Sequence, residues 1–200
     1  MKESAAHPAW EEYGLSRTEC AIVDAFWSLL EEKSYGSITV RDIVSRCRIH
    51  RNTFYYHFQD VPALLDMTLR IWADSLVGQA RFDTAADCVL PAARCAMEQR
   101  RVLDHVYRSV RRDEFVALIE RTNRHIVSRH VENMTRGLRV SQQDKALLIL
   151  YYKSTFQGVV LDWLHAGLAY DLVDTAARLC ALMDGTGRNA VLRLLGGETE

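Results

Sequence analysis

Two hundred residues, 48% hydrophobic and 26% charged, suffice for one large domain or two small ones around a core that needs no staples. The five cysteines are scattered without a CxxC pair, which argues against a zinc site and a disulfide framework. No apolar run approaches the roughly 18 residues of a membrane helix, and the start "MKESAAHPAWEEYG" lacks a signal-peptide core, so the expectation is a cytoplasmic protein without membrane contact. Ten glycines, three prolines and no strand-like alternation leave long uninterrupted stretches, and the expected class is all-α.

After a polar arm over residues 1–14, the spacing predicts a helix from about Ser16 to Lys33, with Glu19 completing a capping box and Ile22, Phe26, Leu29 and Leu30 facing inward. Thr39 is the N-cap of a short helix that turns Val40, Ile43, Val44 and Cys47 inward. A tight turn at "RIH" follows, then a second short helix, "RNTFYYHF", with Phe54 and Phe58 at i,i+4. Asp60 caps a longer helix that starts at Val61–Pro62 and runs to about Val77 on Leu64, Leu65, Leu69, Trp72 and Leu76. Further helices are expected near 84–98, 100–110, 112–137, 142–166 (Ser141 cap, Gly167 stop) and 172–195, the last broken at Gly185 and Gly187.

The net charge of −1 conceals a partition. Residues 37–58 hold four arginines against one aspartate, a local +3, while 1–36 hold three basic and seven acidic groups, a local −4. Two short helices joined by a tight turn, the second rich in cationic and hydroxyl-bearing side chains, match a helix-turn-helix, whose second helix enters the major groove of DNA. Arginines neutralise phosphates, Thr and Tyr hydroxyls bond phosphate oxygens, and Asn or Arg pair with base edges. Adjacent tyrosines on an exposed helix disfavour the plainer alternative, a merely solvated charged hairpin.

The run "ITVRDIVSRCRIHRNTFYYHFQDVPALL", with Thr53, Tyr55, His57 and Phe58 in a T-x-Y-x-H-F string, resembles the DNA-binding domain of the TetR family of transcriptional regulators. The resemblance implies a homodimer with a three-helix head at 15–60, a connecting helix at 61–80, and a helical ligand-binding and dimerisation domain at 81–200. It implies phosphate contacts from Thr39, Arg41, Thr53, Tyr55 and His57, and base-edge or mixed contacts from Arg51, Asn52 and Tyr56. A plainer role for His57 is a bond to a nearby carbonyl at the helix end.

Three positions depart from the family pattern. Arg48 stands where glycine is usual, His50 where serine is usual, and Val61 replaces a lysine near a phosphate. A left-handed backbone costs arginine more than glycine, histidine is the weaker N-cap, and Arg48 partly restores the charge missing at Val61.

Farther on, "FQGVVLDWLHAGL" (156–168) resembles the late helix of family members similar to dihydroxyacetone-kinase regulators. Pocket candidates are Trp72, Cys95, Met97, Tyr107, Phe115, Tyr151, Tyr152 and Phe156, each of which also suits plain core. Dimer candidates are Leu148, Gly158, Leu161, Trp163, Leu172 and Leu179; the alternative is that 142–166 is the domain's central core helix. His125 and His130 miss metal-ligand spacing, and Cys88 with Cys95 suit buried thiols better than a redox pair. No phosphate loop, nucleophile–base spacing, metal set or cofactor motif appears, which disfavours an enzyme.

The sequence thus points to a homodimeric repressor on a palindromic DNA operator. An unidentified small-molecule effector would release it through the helix at 61–77, read as the only stiff link to the head. The alternative is a DNA-binding regulator controlled by a protein partner on the C-terminal domain.

Overall fold

The computed structural model describes residues 10–79, 84–109, 111–183 and 189, and all of its regular structure is helical. The α-helices in chain order are α1 (Arg17–Glu32), α2 (Val40–Cys47), α3 (Arg51–His57), α4 (Val61–Gln79), α5 (Ala85–Glu98), α6 (Arg100–Tyr107), α7 (Arg112–Met134), α8 (Gln142–His165) and α9 (Leu172–Met183). They form two compact units, Met1–Ser75 with Glu98–Leu118, and Leu76–Met97 with Ile119–Glu200. Residues 98–118 therefore cluster with the N-terminal helices, although the sequence reading groups them with the C-terminal ones. The expected break at Gly185 and Gly187 lies outside the described residues.

In the first unit α1 packs against both α2 and α6. Ile22, Val23, Phe26 and Leu30 of α1, Ile43 of α2, Phe54 of α3, Leu64 of α4 and Val102 of α6 are fully buried. α1, α2, α3 and α4 each start where a side chain meets free N–H groups, whereas Gln99 before α6 makes no such bond. Ser16 and Glu19 close one capping box and Thr39 and Asp42 a second, while Asp60 Oδ1 accepts from the Ala63 N–H at 2.8 Å.

Long-range polar bonds complete this unit. Trp27 Nε1 donates to Gln99 Oε1 at 2.9 Å. His105 Nδ1 lies 2.6 Å from the Leu30 carbonyl oxygen; that oxygen only accepts, so Nδ1 carries the proton. The Arg111 guanidinium reaches both oxygens of Asp66, at 2.8 and 2.9 Å, and so ties α4 to the residue before α7. Within the N-terminal arm, Trp10 is buried edge-on against Trp27 at 5.8 Å and donates to Asp24. One expectation needs correcting here. The helix at 61–77 is not the only stiff element against the head, because α6 packs on α1.

The second unit is built on Val127, Val131, Leu148, Tyr152, Phe156, Cys180 and Met183. Lys153 joins Glu120 at 2.8 Å, and Asn123 donates to the Lys153 carbonyl at 2.9 Å, so α7 and α8 are pinned side by side. Beyond α8 the chain reverses through Gly167 and Leu168, both with positive φ. The turn is held by Trp163 Nε1 donating to the Tyr170 carbonyl and by the Tyr170 hydroxyl donating to the Val159 carbonyl. Burial and the neighbouring Asp162 push the Tyr170 hydroxyl up to about 12. All five cysteines are free thiols.

Candidate nucleic-acid interface

The short helices α2 and α3 present one face to the core and one to solvent. Phe54 and Phe58 are buried with ring centroids 5.8 Å apart, and they fasten α3 from behind. The opposite face carries Tyr55, 47% exposed, and Tyr56, 86% exposed. Tyr55 meets the Phe54 ring edge-on at 5.5 Å and Tyr56 the His57 ring at 5.0 Å, yet each leaves much of its surface to solvent, more than burial alone would select.

The arginines of the segment fall into two groups. Arg46 is used internally: its guanidinium grips both oxygens of Glu32 at 2.7 and 2.6 Å and donates to Ser28 at 2.7 Å. Arg41 and Arg48 are exposed and, among the described residues, make no ion pair or side-chain hydrogen bond; Arg51 stands 5.8 Å over the Tyr55 ring. The cations left without a carboxylate lie on α2, in the turn and at the start of α3, which is the arrangement an external polyanion completes.

The helix ends are set by the same residues. Thr39 gives both its N–H and its hydroxyl to Asp42, at 2.8 and 2.7 Å. With Lys33 3.0 Å away, these bonds, the Thr39 hydroxyl first, hold the Asp42 carboxyl at about 2. The stabilisation this box gives α2 is complete above the ordinary carboxylate range and is lost as pH falls through about 2. A phosphate at Thr39 would have to share or replace the bonds to Asp42. His50 does cap α3, its Nδ1 accepting from the Asn52 N–H at 3.3 Å. The exposed Asn52 side chain makes no hydrogen bond among the described residues, and Thr53 is half-buried. The His57 ring is nearly covered and lies 3.4 Å from Glu19 of α1. This partner was missed in the sequence, which left His57 either a phosphate or a carbonyl.

Arg48 adopts φ 54° and ψ 43°, the left-handed region. The strain falls on an exposed side chain that the fold does not use, and strain is retained where function needs it. Arg48→Gly is expected to raise stability by roughly 0.5–1 kcal/mol, because glycine adopts this conformation freely. It is also expected to lower the salt dependence of DNA binding by about one counterion. Thermal unfolding and affinity against salt read the two effects, and a variant stabilised with its salt slope unchanged would remove Arg48 from the interface.

The remaining predicted residues separate by unit. Trp72, Tyr107 and Phe115 are buried in the first unit, Trp72 with its ring nitrogen unpartnered. Cys95, Met97, Tyr151, Tyr152 and Phe156 belong to the second. There Tyr152 stacks on Phe156 at 6.4 Å, receives the edge of His130 and forms part of the core. Of the dimer candidates, Leu148, Trp163 and Leu172 are buried within their own subunit, Leu161 and Leu179 are half-buried, and Gly158 is exposed. The outward face of α8 instead carries Leu147, Leu150 and Tyr151, each about half exposed or more.

A helix-turn-helix with a core-anchored second helix and unpaired cations defines a DNA-binding transcriptional regulator. Residues 22–66 match the family model for bacterial regulatory proteins of the tetR family, and residues 83–185 match a model for a transcriptional regulator C-terminal region. The chain belongs to the TetR family of transcriptional regulators. Among solved structures, the fold is similar to the dihydroxyacetone kinase operon activator DhaS, with TM-score 0.73 and 18% identity over 86% of this chain and 97% of that one. It is also similar to a TetR transcriptional regulator from Streptococcus agalactiae, with TM-score 0.55 and 20% identity over 87% of this chain and 97% of that one. No curated protein matches the sequence.

Proposed function

We propose that the protein is a non-enzymatic homodimeric repressor that binds a palindromic operator through α3 and is released by a small apolar or amphipathic effector. The observation that carries the dimer is the outward face of α8. Leu147, Leu150 and Tyr151 stand in solvent, and a Cβ at Gly158, farther along that helix, would meet nothing within 4 Å. Glycine inside a helix costs about 1 kcal/mol relative to alanine. No neighbour in its own subunit requires it, whereas close approach of a second α8 would. A two-fold dimer of this class reads DNA with its two recognition helices in successive major grooves, about 34–36 Å apart.

Release requires an effector with different affinities for two conformers. Three residues separate the end of α3 from the start of α4, which is tied to Arg111 through Asp66, and α1 is tied to 98–118 through Gln99 and His105. A shift of α4 or α6 would therefore move the head. Control by a protein partner is the second reading, and it is favoured if the apolar face of α8 does not pair with its own copy.

Selection from a random duplex pool tests the first reading. Wild type is expected to enrich a palindrome with a steep salt slope. Arg51→Ala is expected to lose about 1–3 kcal/mol of discrimination at one base position, and Tyr55→Phe to weaken all sequences alike. No enrichment, or indifference to both substitutions, would overturn this assignment of α3.

A further inference from the structure

Three donors converge on one oxygen at the start of α2. Asp42 Oδ2 accepts from the Thr39 N–H at 2.8 Å and from the Thr39 hydroxyl at 2.7 Å, and the Lys33 ammonium lies 3.0 Å from the same atom. The ammonium and the hydroxyl therefore flank a single carboxylate oxygen. Lys33 is the C-cap of α1, so this ion pair brings the end of α1 to the first turn of α2. The adjacent carboxylate, Glu32, is gripped by Arg46, which leaves Asp42 as the partner of Lys33. Both side chains of the pair keep 34% of their surface in solvent, and Thr39 and Arg41 beside them are exposed.

A phosphate that reaches Thr39 therefore arrives beside Lys33 as well. The ammonium has three donors, enough to serve the carboxylate and a phosphate oxygen together. An exposed ion pair is weak, so the bond to Asp42 does not withhold Lys33 from that second acceptor. We propose that Lys33 is a further phosphate-contacting residue, and that Asp42 offsets its charge and so limits how tightly the head holds duplex DNA of any sequence. This rests on the reading that α2 and α3 meet DNA. Local charge gives the sign. The intact pair is neutral, loss of the Asp42 charge leaves it positive, and loss of the Lys33 charge turns a bare carboxylate toward the phosphates. Screening confines the effect to charges within about 8 Å of the backbone at physiological salt. A regulator must leave DNA that is not its operator, and a limit on backbone contacts makes residence depend more on the base contacts that carry sequence.

Affinity for duplex DNA of arbitrary sequence, followed from about 50 to 200 mM salt, reads phosphate contacts without the operator. Wild type is compared with Asp42→Gln, Lys33→Gln and the double variant. Glutamine also serves at the third position of a capping box, so α2 keeps its start. Asp42→Gln is expected to bind about fivefold tighter per head at physiological salt, with a salt slope steeper by about one counterion. Lys33→Gln is expected to bind about fivefold weaker than wild type, and the double variant to return close to wild type. Lys33→Gln leaves the capping box untouched, so its result stands even if Asp42→Gln melts early. Asp104→Asn, at the exposed Arg108–Asp104 pair of α6, changes the net charge equally and is expected to leave affinity as it was. Equal binding by Lys33→Gln and wild type overturns the contact. A folded Asp42→Gln that binds no tighter overturns the offset. A gain in Asp104→Asn as large as in Asp42→Gln reduces the effect to net charge and overturns both. Wild type that binds no duplex at low salt sinks the DNA-binding reading of α2 and α3, whereas duplex binding without this ordering keeps that reading and removes Lys33 and Asp42 from it.

Discussion

Phe54→Ala is expected to cost about 3–5 kcal/mol and to abolish operator binding, because it empties a fully buried aromatic site behind the recognition helix. α3 is only seven residues long, too short to persist without tertiary packing. Its hold on the core comes from Phe54 and Phe58, whose ring centroids are 5.8 Å apart. A loss of this size is a large fraction of the stability of a typical domain. Denaturant unfolding should show a lower midpoint, and the DNA-free protein should lose protection of α3 amides from hydrogen exchange. Phe54→Leu, which leaves most of the volume filled, should retain part of the binding. Wild-type affinity in Phe54→Ala would mean that α3 is held by something other than its aromatic back face.

The helix starts were legible because capping is local. Ser16 with Glu19, Thr39, Asp60 and Ser141 each declare a first turn within three residues, and Gly167 declares a stop. The two-helix head was legible for a similar reason, as one short stretch holds both the buried Phe54 and Phe58 and the exposed Tyr55 and Tyr56. Choices of partner across the chain were not legible. Trp27 bonds Gln99 and His105 bonds Leu30 across more than seventy residues, and no periodicity in either segment announces the other. Arg46 and Arg48 look alike in sequence, and only the position of Glu32 fourteen residues upstream decides that one is spent within the fold and the other is free. On α8 apolar residues occur on both faces, so the pattern could not say which side was covered. The core took Leu148, Tyr152 and Phe156, and left Leu147, Leu150 and Tyr151 outside.

That last division supports the second large effect. Leu147→Asp combined with Leu150→Asp is expected to convert a dimer to monomers in sedimentation velocity while leaving the far-ultraviolet helical signal intact. Both side chains are more than half exposed in the single subunit, so the substitutions remove little of its own packing. The intrinsic helix penalty is about 0.5 kcal/mol each, small beside the cost of burying two carboxylates against a partner's apolar face. Operator affinity should fall about a hundredfold or more, because linking two heads makes the second half-site contact intramolecular, and that gain disappears in the monomer. Binding to a single half-site should be unchanged, since neither residue lies near α3 in the sequence or belongs to its unit. A variant that still sediments as a dimer would place the subunit interface elsewhere than the outward face of α8. A wild type that is already monomeric would free that face for a different protein, and control by a partner would then become the leading account of how the regulator is switched.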